Sequence, residues 1–342
     1  MNVLKKEYLP LMRDGMNLAR AKACEVFGFG DFLMPYPYVL HIEPTNACNL
    51  RCPTCPTGSG KMNRPGRMMS FPEFKGIIDQ ARGYVRTISL WNFGEPFLNK
   101  ELLSMIRYAT SAGIFVVTST NGHFLRSKEF CSEIVRSGLQ HLIICLDGAD
   151  QETMNRLRKN ARFDDIMGGF TLMTGAKRKL NSQTPKIELQ FIVTRHNEHQ
   201  REYMRQLAKR LNVDTYCEKP VGIDYSFPDF QELAKDLLPS DLSLSRFYQK
   251  QDGTFELKGK MHNRCLKVYQ STVINSDGSV VPCSYDVFSD HVMGNIFEES
   301  LKTIWRNDKY QDFRRQIRQD RKSISICNAC PEGRFAIKTE IA

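Results

Sequence analysis

Three cysteines stand close together in one short segment of the chain. Cys48, Cys52 and Cys55 follow the spacing Cys-x3-Cys-x2-Cys. Thiolates bind zinc or iron–sulfur clusters, but a structural zinc ion takes four protein ligands, and this segment contains no histidine. Three cysteines on a four-iron cluster would leave one iron open to a substrate or cofactor. The count of three therefore favours a reactive centre over a structural one.

Four further cysteines form a second set near the end of the chain. Cys265, Cys283, Cys327 and Cys330 are spaced Cys-x17-Cys-x43-Cys-x2-Cys. A predicted hairpin turn, Asn275-Ser276-Asp277-Gly278, would bring the first two together, because Asp-Gly between β-branched residues is a strong hairpin signal. Four thiolates suit a closed tetrahedral zinc site or a fully ligated 4Fe-4S cluster. The residues alone leave both open.

The amino-acid composition indicates which class of protein carries these cysteines. The 342 residues are 41% hydrophobic and 25% charged, as in an ordinary globular chain of about two domains. This excludes disordered, collagen-like and disulfide-rich miniprotein classes. The first residues lack the apolar run of a secretory signal, and we expect no membrane span. Because the 11 cysteines are odd in number and clustered, we expect reduced thiols and a cytoplasmic location.

The net charge of +10 is concentrated near the C-terminus. Between Ser300 and Ala342 there are ten Lys and Arg against five Asp and Glu, mostly along 301–322. The apolar residues of this stretch fall near helical spacing, which predicts a packed helix with a basic, solvated outer face. A polyanion site is the alternative, but no aromatic-interleaved RNA motif accompanies it, so we do not expect nucleic acid as a partner.

Short β-branched segments alternate with helical patterns between residues 38 and 217. The predicted strands are Tyr38–Glu43, Arg86–Trp91, Ile114–Ser119, His141–Leu146, Lys186–Val193 and Val213–Cys217. The predicted helices are Ser70–Tyr84, which opens with a capping box, Glu101–Ala112, Ser127–Ser137, Phe163–Leu180 and Glu198–Leu211. This alternation predicts parallel βα units, in an open doubly wound sheet or a partial barrel. In both, the functional site lies at the carboxyl ends of the strands.

The loops after successive predicted strands resemble the motifs of the radical S-adenosylmethionine (SAM) enzymes. The three-cysteine loop after the first strand is the hallmark of that family. Gly94-Glu95-Pro96 resembles its Gly-Glu-Pro motif for the methionine amino group of SAM, and Thr120-Asn121 resembles its ribose-side motif. Cys145 and Arg158 resemble the pair near the SAM carboxylate, although Cys145 stands in place of the usual Ser. Thr54 stands where the family often has an aromatic residue beside the adenine.

The later part of the chain resembles the auxiliary-cluster extension called SPASM or, in its shorter form, twitch. The similarity lies in 277–283, 293–296 and 301–305 around the second cysteine set. Four cysteines instead of about seven make the chain similar to the twitch-type enzymes of aminoglycoside pathways. The implied fold is α/β, a partial (β/α)6 TIM-like barrel followed by a small α+β twitch-type domain. The expected regions are a helical extension at 1–37, the barrel at 38–218, a bridging segment at 219–263 and the auxiliary domain at 264–342.

The resemblance implies cofactors, partners and a reaction class. Cys48, Cys52 and Cys55 would hold a 4Fe-4S cluster that binds SAM, and the later four cysteines a second 4Fe-4S cluster. Thr54, Gly94, Glu95, Pro96, Thr120, Asn121, Cys145 and Arg158 would bind SAM. An external donor such as flavodoxin or ferredoxin would reduce the first cluster. The enzyme would cleave SAM to a 5′-deoxyadenosyl radical, which takes hydrogen from a small polar metabolite, sugar-like or aminocyclitol-like.

The outcome of that reaction stays open between oxidation, dehydration and epimerisation. Cys217, at the end of the sixth predicted strand, is a candidate hydrogen donor for epimerisation, or else a buried packing residue. One alternative function is maturation of a ribosomal peptide with a separate recognition chain. Another, of a different class, is an iron–sulfur protein that binds RNA or transfers electrons. His41, His123 and the other histidines show no pairing in sequence that would mark a general base.

Overall fold

The structure is a computed structural model that describes residues 3–28, 33–328 and 330–332, with side chains from residue 15. The strands are β1 Val39–Ile42, β2 Thr87–Ser89, β3 Phe115–Thr120, β4 His141–Cys145, β5 Lys186–Val193, β6 Thr215–Pro220, β7 Phe247–Gln249, β8 Phe255–Leu257, β9 Ser271–Ile274, β10 Ser279–Val281 and β11 Gly294–Asn295. The α-helices are α1 Val3–Phe27, α2 Phe71–Ala81, α3 Leu102–Ser111, α4 Lys128–Arg136, α5 Gln151–Leu157, α6 Phe163–Lys179, α7 Arg201–Arg210, α8 Phe230–Leu237, α9 Leu301–Arg306, α10 Asp308–Asp320 and α11 Ser325–Asn328. Short 3-10 helices span Pro96–Leu98, Glu198–Gln200, Leu242–Leu244, Leu266–Tyr269 and Arg321–Ser323.

Strands β1 to β6 form a parallel sheet in chain order, with helices between them. The predicted α/β fold is therefore confirmed. All six predicted strands are present, with ends that differ by at most three residues. Ser70 and Glu73 form the predicted capping box at the start of α2. Because the strands are parallel and adjacent, the loops that follow them gather at one edge of the sheet.

The hairpin β9–β10 extends this same sheet. Strand β9 pairs in parallel with β1, from Val39 opposite Ser271 to Ile42 opposite Ile274, and β10 pairs antiparallel with β9. The full order is β11-β10-β9-β1-β2-β3-β4-β5-β6. The part of the chain that carries the second cysteine set is therefore hydrogen-bonded directly to the first strand of the barrel.

The segment 219–263, expected only to bridge, has regular structure of its own. It contains α8 and the antiparallel hairpin β7–β8. Phe230, Phe247 and Phe255 are buried together in a small apolar cluster with Leu157 of α5. The Phe230 and Phe247 rings lie 5.2 Å apart. Scattered prolines and polar residues obscure this cluster in the sequence, because its members are brought together only by the fold.

The basic stretch 301–322 consists of two α-helices, which divide at Asn307, and the start of a 3-10 helix. The Asn307 side chain caps α10 by accepting a hydrogen bond from the Tyr310 amide at 3.0 Å. Arg314 is buried, donates Nε to the Val268 carbonyl at 3.0 Å and lies 4.2 Å from the Trp305 ring. Arg321 is also buried. The prediction of a basic, solvated face is wrong for these two residues. The Trp305 ring and the Val268 carbonyl contact the Arg314 guanidinium, and Arg321 donates to the Arg264 carbonyl at 2.8 Å.

Among the helices that the structure describes, none is both long enough and apolar enough to cross a lipid bilayer.

Candidate functional site

The three-cysteine loop follows β1 and folds tightly on itself. The Cys55 amide donates to the Cys52 carbonyl at 3.2 Å, and Cys48 Sγ accepts from the Leu50 amide at 3.4 Å. A side chain at Gly58 would put its Cβ 2.5 Å from the Cys52 amide nitrogen. The loop therefore depends on glycine at this position for its packing.

The loop after β2 lies directly on the three-cysteine loop. Gly94 has φ +80°, and a Cβ there would be 2.3 Å from the Thr45 carbonyl oxygen. The Glu95 amide donates to the Ala47 carbonyl at 2.8 Å. Only glycine fits this close approach with a left-handed backbone, so the Gly-Glu-Pro segment holds its Glu beside the cysteines.

Glu95 connects the loops after β2 and β3. Its carboxylate accepts hydrogen bonds from Thr120 Oγ1 and the Asn121 amide, each at 2.8 Å, and from the Phe97 amide at 3.2 Å. Burial raises the pKa of Glu95 to about 7, although these donors oppose the shift. The Asn121 side chain in turn donates to Asn49 Oδ1 at 2.8 Å, in the three-cysteine loop. One buried carboxyl group therefore positions the Thr120-Asn121 segment.

Arg158 and Asp147 form a buried ion pair at the end of β4. Asp147 also accepts from the Ile192 amide at 2.6 Å, which fixes it against β5. The Cys145 thiol lies 3.6 Å from Ser119 Oγ, and burial raises its pKa. The Arg158 guanidinium is thus held beside the cysteines, where it can bind an anionic group.

A cavity of about 200 Å³ opens over the three cysteines. We call it the cysteine-loop cavity. Every residue assigned to the cluster or to SAM by resemblance lies on its lining, namely Cys48, Cys52, Cys55, Thr54, Gly94, Glu95, Pro96, Thr120, Asn121, Cys145 and Arg158. Sequence reasoning missed Trp91 and Ile192, which also line it. Trp91 lies two residues after β2 and Ile192 lies on β5, and these positions were the available signal.

Cys217 lies elsewhere in the barrel. Cys217 on β6 lies opposite Gln190 on β5, and Gln190 lies opposite Cys145 on β4. The three residues therefore form one row across the sheet. Cys217 is 4% exposed, and burial raises the pKa of its thiol to about 11. Cys217 is not on the described lining of the cysteine-loop cavity, whereas Cys145 is. Its role as a hydrogen donor stays a prediction.

The later four cysteines are neighbours in the fold. Cys265, Cys327 and Cys330 each act electrostatically on the Cys283 thiol, and burial raises the pKa of Cys327 to about 12. Within the described residues, no three Cys, His, Asp or Glu side chains already converge as ligands of a single ion.

Both cysteine sets fit iron–sulfur clusters in their donor chemistry. Burial raises the pKa of Cys52 to about 12, as it does for Cys327, so a thiolate at either place needs a cation beside it. Cluster iron is such a cation, and thiolate is its usual protein ligand. Three neighbouring thiols beside a cavity suit an open cluster, and four neighbouring thiols, of which Cys327 and Cys330 are buried, suit a closed one.

A second cavity, of about 250 Å³, lies between the two cysteine sets. We call it the central cavity. Thr54 lines both this cavity and the cysteine-loop cavity. On the other side it is bordered by Ser284, next to Cys283, and by Pro331, next to Cys330. The loops around it are tied together, since Lys61 pairs with Asp229 at 2.6 Å.

Two polar contacts inside the barrel were not foreseen. His141 Nε2 lies 3.1 Å from Glu188 Oε2, across the β4–β5 pair. Lys219 donates a hydrogen bond to Gln190, across β5 and β6. Both contacts depend on strand register between residues far apart in sequence, which residue spacing does not reveal.

Two protein-family models match the chain. The radical SAM superfamily model matches residues 42–211, which run from the last residue of β1 past the three-cysteine loop to the end of α7. The SPASM model, described as an iron–sulfur cluster-binding domain, matches residues 265–331. The four later cysteines all lie within that second match.

Curated relatives are similar over most of their length. The chain is 25% identical over 323 residues to an AdoMet-dependent heme synthase of Methanosarcina barkeri, covering 86% of this chain and 88% of the relative. It is also 25% identical over 315 residues to the mycofactocin maturase MftC of Mycolicibacterium smegmatis, covering 86% and 75%.

Solved structures share the fold at lower identity. The structure of Streptococcus suis SuiB bound to S-adenosylmethionine aligns with a TM-score of 0.63 and 17% identity, covering 87% of this chain and 73% of that one. BtrN in complex with AdoMet and 2-DOIA aligns with a TM-score of 0.54 and 19% identity, covering 86% and 92%.

Proposed function

Because this chain belongs to the radical SAM superfamily and carries a SPASM iron–sulfur domain, we propose that it oxidises a small organic substrate bound in the central cavity. The family membership makes it a radical SAM enzyme with a SAM-binding 4Fe-4S cluster and an auxiliary 4Fe-4S cluster. The oxidoreductase assignment and the substrate are our proposal.

The position of the central cavity carries this proposal. It is bordered by Thr54 and Pro56 of the three-cysteine loop on one side, and by residues next to Cys283 and Cys330 on the other. A molecule in it would be close to SAM and to the auxiliary cysteines at the same time. That placement suits removal of a hydrogen atom at one end and of an electron at the other.

The residues of the chain have distinct tasks in this scheme. When bound, the first cluster and SAM supply a 5′-deoxyadenosyl radical that takes a hydrogen atom from the substrate, and the auxiliary cluster supplies a place for a second electron. Glu95 and the Thr120-Asn121 segment would hold the methionine and ribose parts of SAM, and Arg158 its carboxylate. The two tied loops around the cavity would exclude water from the radical.

A second candidate is maturation of a ribosomal peptide. The similarity to mycofactocin maturase supports it. The expectation of a sugar-like or aminocyclitol-like substrate stays a prediction. The RNA-binding alternative loses part of its support, because Arg314 and Arg321 of the basic stretch are buried and cannot contact a polyanion.

Anaerobic reconstitution tests the proposed function. We expect about eight irons per chain and slow cleavage of SAM to 5′-deoxyadenosine with dithionite, without added substrate. Replacing Cys327 and Cys330 by Ala should halve the iron and keep 5′-deoxyadenosine formation, while substrate oxidation stops. Cys131→Ala, a buried cysteine in α4, is the control and should keep all the iron. Bound zinc without SAM cleavage would contradict the proposal, and unchanged substrate turnover in the double variant would contradict the role of the second cluster.

A further inference from the structure

The wall of the central cavity is mainly aromatic and aliphatic. Its apolar residues come from every surrounding loop and include Phe93, Ile223, Phe247, Leu257, Val287 and Phe288. At about 250 Å³ the cavity is near the small end of pockets that bind small molecules. Its walls would stabilise the apolar body of a ligand by removing it from water.

Arg246 is the one cation on the described lining of this cavity. Its backbone is fixed at the start of hairpin β7–β8, where its carbonyl accepts from the Lys258 amide at 2.9 Å. Its Nη1 donates to the Tyr285 hydroxyl at 3.3 Å. Its Nε is buried without a hydrogen-bond partner among the described residues. A buried guanidinium N–H without an acceptor is costly, so a ligand that supplies one is favoured there.

Two carboxylates also border the cavity, but neither competes closely for this guanidinium. Asp224 Oδ1 accepts from the Ser226 amide and hydroxyl at 2.9 and 2.6 Å, which holds it in its own turn. Asp290 is exposed at the edge of the cavity. Tyr285 lies beside Arg246, and its hydroxyl, which accepts the hydrogen bond from Arg246 Nη1, can donate its own hydrogen to an anion.

We propose that the substrate is an amphipathic carboxylate, with an apolar body against the cavity wall and its carboxylate on Arg246 and Tyr285. Arginine suits this task because its planar N–H groups can bind both oxygens of a carboxylate. This inference rests on the proposed function, in that it takes the central cavity as the substrate site. Arg246 and Tyr285 would therefore select the substrate and set which of its carbons faces SAM.

Calorimetric binding of three small probes to the reconstituted, SAM-bound enzyme tests the proposal. The probes are 4-phenylbutyrate, 4-phenylbutan-1-ol and 4-phenylbutylamine, which share one apolar body. We expect the carboxylate to bind at least about tenfold more tightly than the alcohol, and the amine most weakly. Arg246→Gln should reduce the carboxylate's advantage to about twofold or less and leave the affinity for the alcohol unchanged. If N-acetylglycylphenylalanine binds more tightly than 4-phenylbutyrate, the carboxylate of the substrate belongs to a peptide.

A matched variant separates a direct contact from a general charge effect. Lys250→Gln removes one positive charge from the same hairpin, at an exposed residue paired with Glu256, and should leave all three affinities unchanged. The proposal is overturned if the carboxylate binds no better than the alcohol, or if the two variants weaken it equally. Failure of wild-type SAM cleavage would instead count against the proposed function, because probe binding needs no radical chemistry.

Discussion

The Ser276 hydroxyl donates a hydrogen bond to Glu43 Oε1 at 3.0 Å, and the Ser276 amide donates to the same oxygen at 3.2 Å. Glu43 directly follows β1, whereas Ser276 lies in the turn of hairpin β9–β10. Arg64, just beyond the three-cysteine loop, pairs with both oxygens of Glu43 at 2.8 and 2.9 Å. One buried carboxylate therefore joins the loop for the first cluster to the region for the second.

Removing Arg64 should destabilise this junction strongly. The Glu43 side chain is fully buried, so Arg64→Met would leave its charge without a cation. Loss of one partner of a buried pair costs about 3–5 kcal/mol. We expect a fall of that order in the free energy of unfolding, measured by urea denaturation of the reconstituted protein. Arg156→Met, which breaks an exposed pair with Glu152, should have no measurable effect, and equal shifts in the two variants would contradict the role of Glu43.

Gly94→Ala should remove the first cluster while keeping the second. Its new Cβ would be 2.3 Å from the Thr45 carbonyl oxygen, in a backbone conformation at φ +80° that disfavours alanine. The loop would have to move away from the cysteines, so we expect about four irons per chain instead of about eight, and no 5′-deoxyadenosine. Gly76→Ala in α2, where nothing lies within 4 Å, should keep all the iron. Full iron in both variants would show that this close packing is dispensable.

Much of the fold and of the lining of the cysteine-loop cavity could be predicted from the sequence, because the signals are local. The β-branched segments and the Ser70 capping box depend on residues a few positions apart. Most of the motif residues meet in one cavity because they lie at or just after the carboxyl ends of adjacent parallel strands. The strand topology therefore places Glu95 next to Thr120, and this contact can be predicted without knowledge of the side-chain packing.

The rest of the site depends on contacts that no local pattern encodes. His141 meets Glu188 only through the register of β4 and β5. Arg246 meets Tyr285 only because a hairpin in the expected bridging segment packs against the second cysteine region. Arg314 looks like a surface cation in sequence, yet aromatic rings and carbonyl oxygens compensate its burial.

The ionisation of Glu95 should make stability depend on pH between about 4.5 and 7. Burial raises its pKa from 4.5 to about 7 in the folded protein, so in this range the folded state holds a proton that the unfolded chain has lost. The contribution of Glu95 to stability is therefore fully present below pH 4.5 and is lost as the pH rises through about 7, a loss of about 3 kcal/mol in all. The difference in unfolding free energy between wild type and Glu95→Gln, measured from pH 4.5 to 8, isolates this effect. Parallel profiles for the two proteins would contradict it.

Arg321 should raise the reduction potential of the auxiliary cluster. It is 2% exposed, hydrogen-bonds with Cys327 and acts electrostatically on Cys265 and Cys330. A fixed positive charge beside a cluster favours the added electron, so Arg321→Gln should lower the potential and Arg321→Lys should largely restore it.

An EPR-monitored redox titration measures this potential without interference when Cys48, Cys52 and Cys55 are replaced by Ala, because only the second cluster then remains. Lys322→Gln removes a charge from the neighbouring exposed residue and should leave the potential unchanged. A shift of equal size in the Arg321→Gln and Lys322→Gln proteins would assign the effect to overall charge. We expect a lower potential only in the Arg321→Gln protein, because solvent and salt screen the charge of Lys322 but not that of Arg321. This result would show that the buried guanidinium raises the potential.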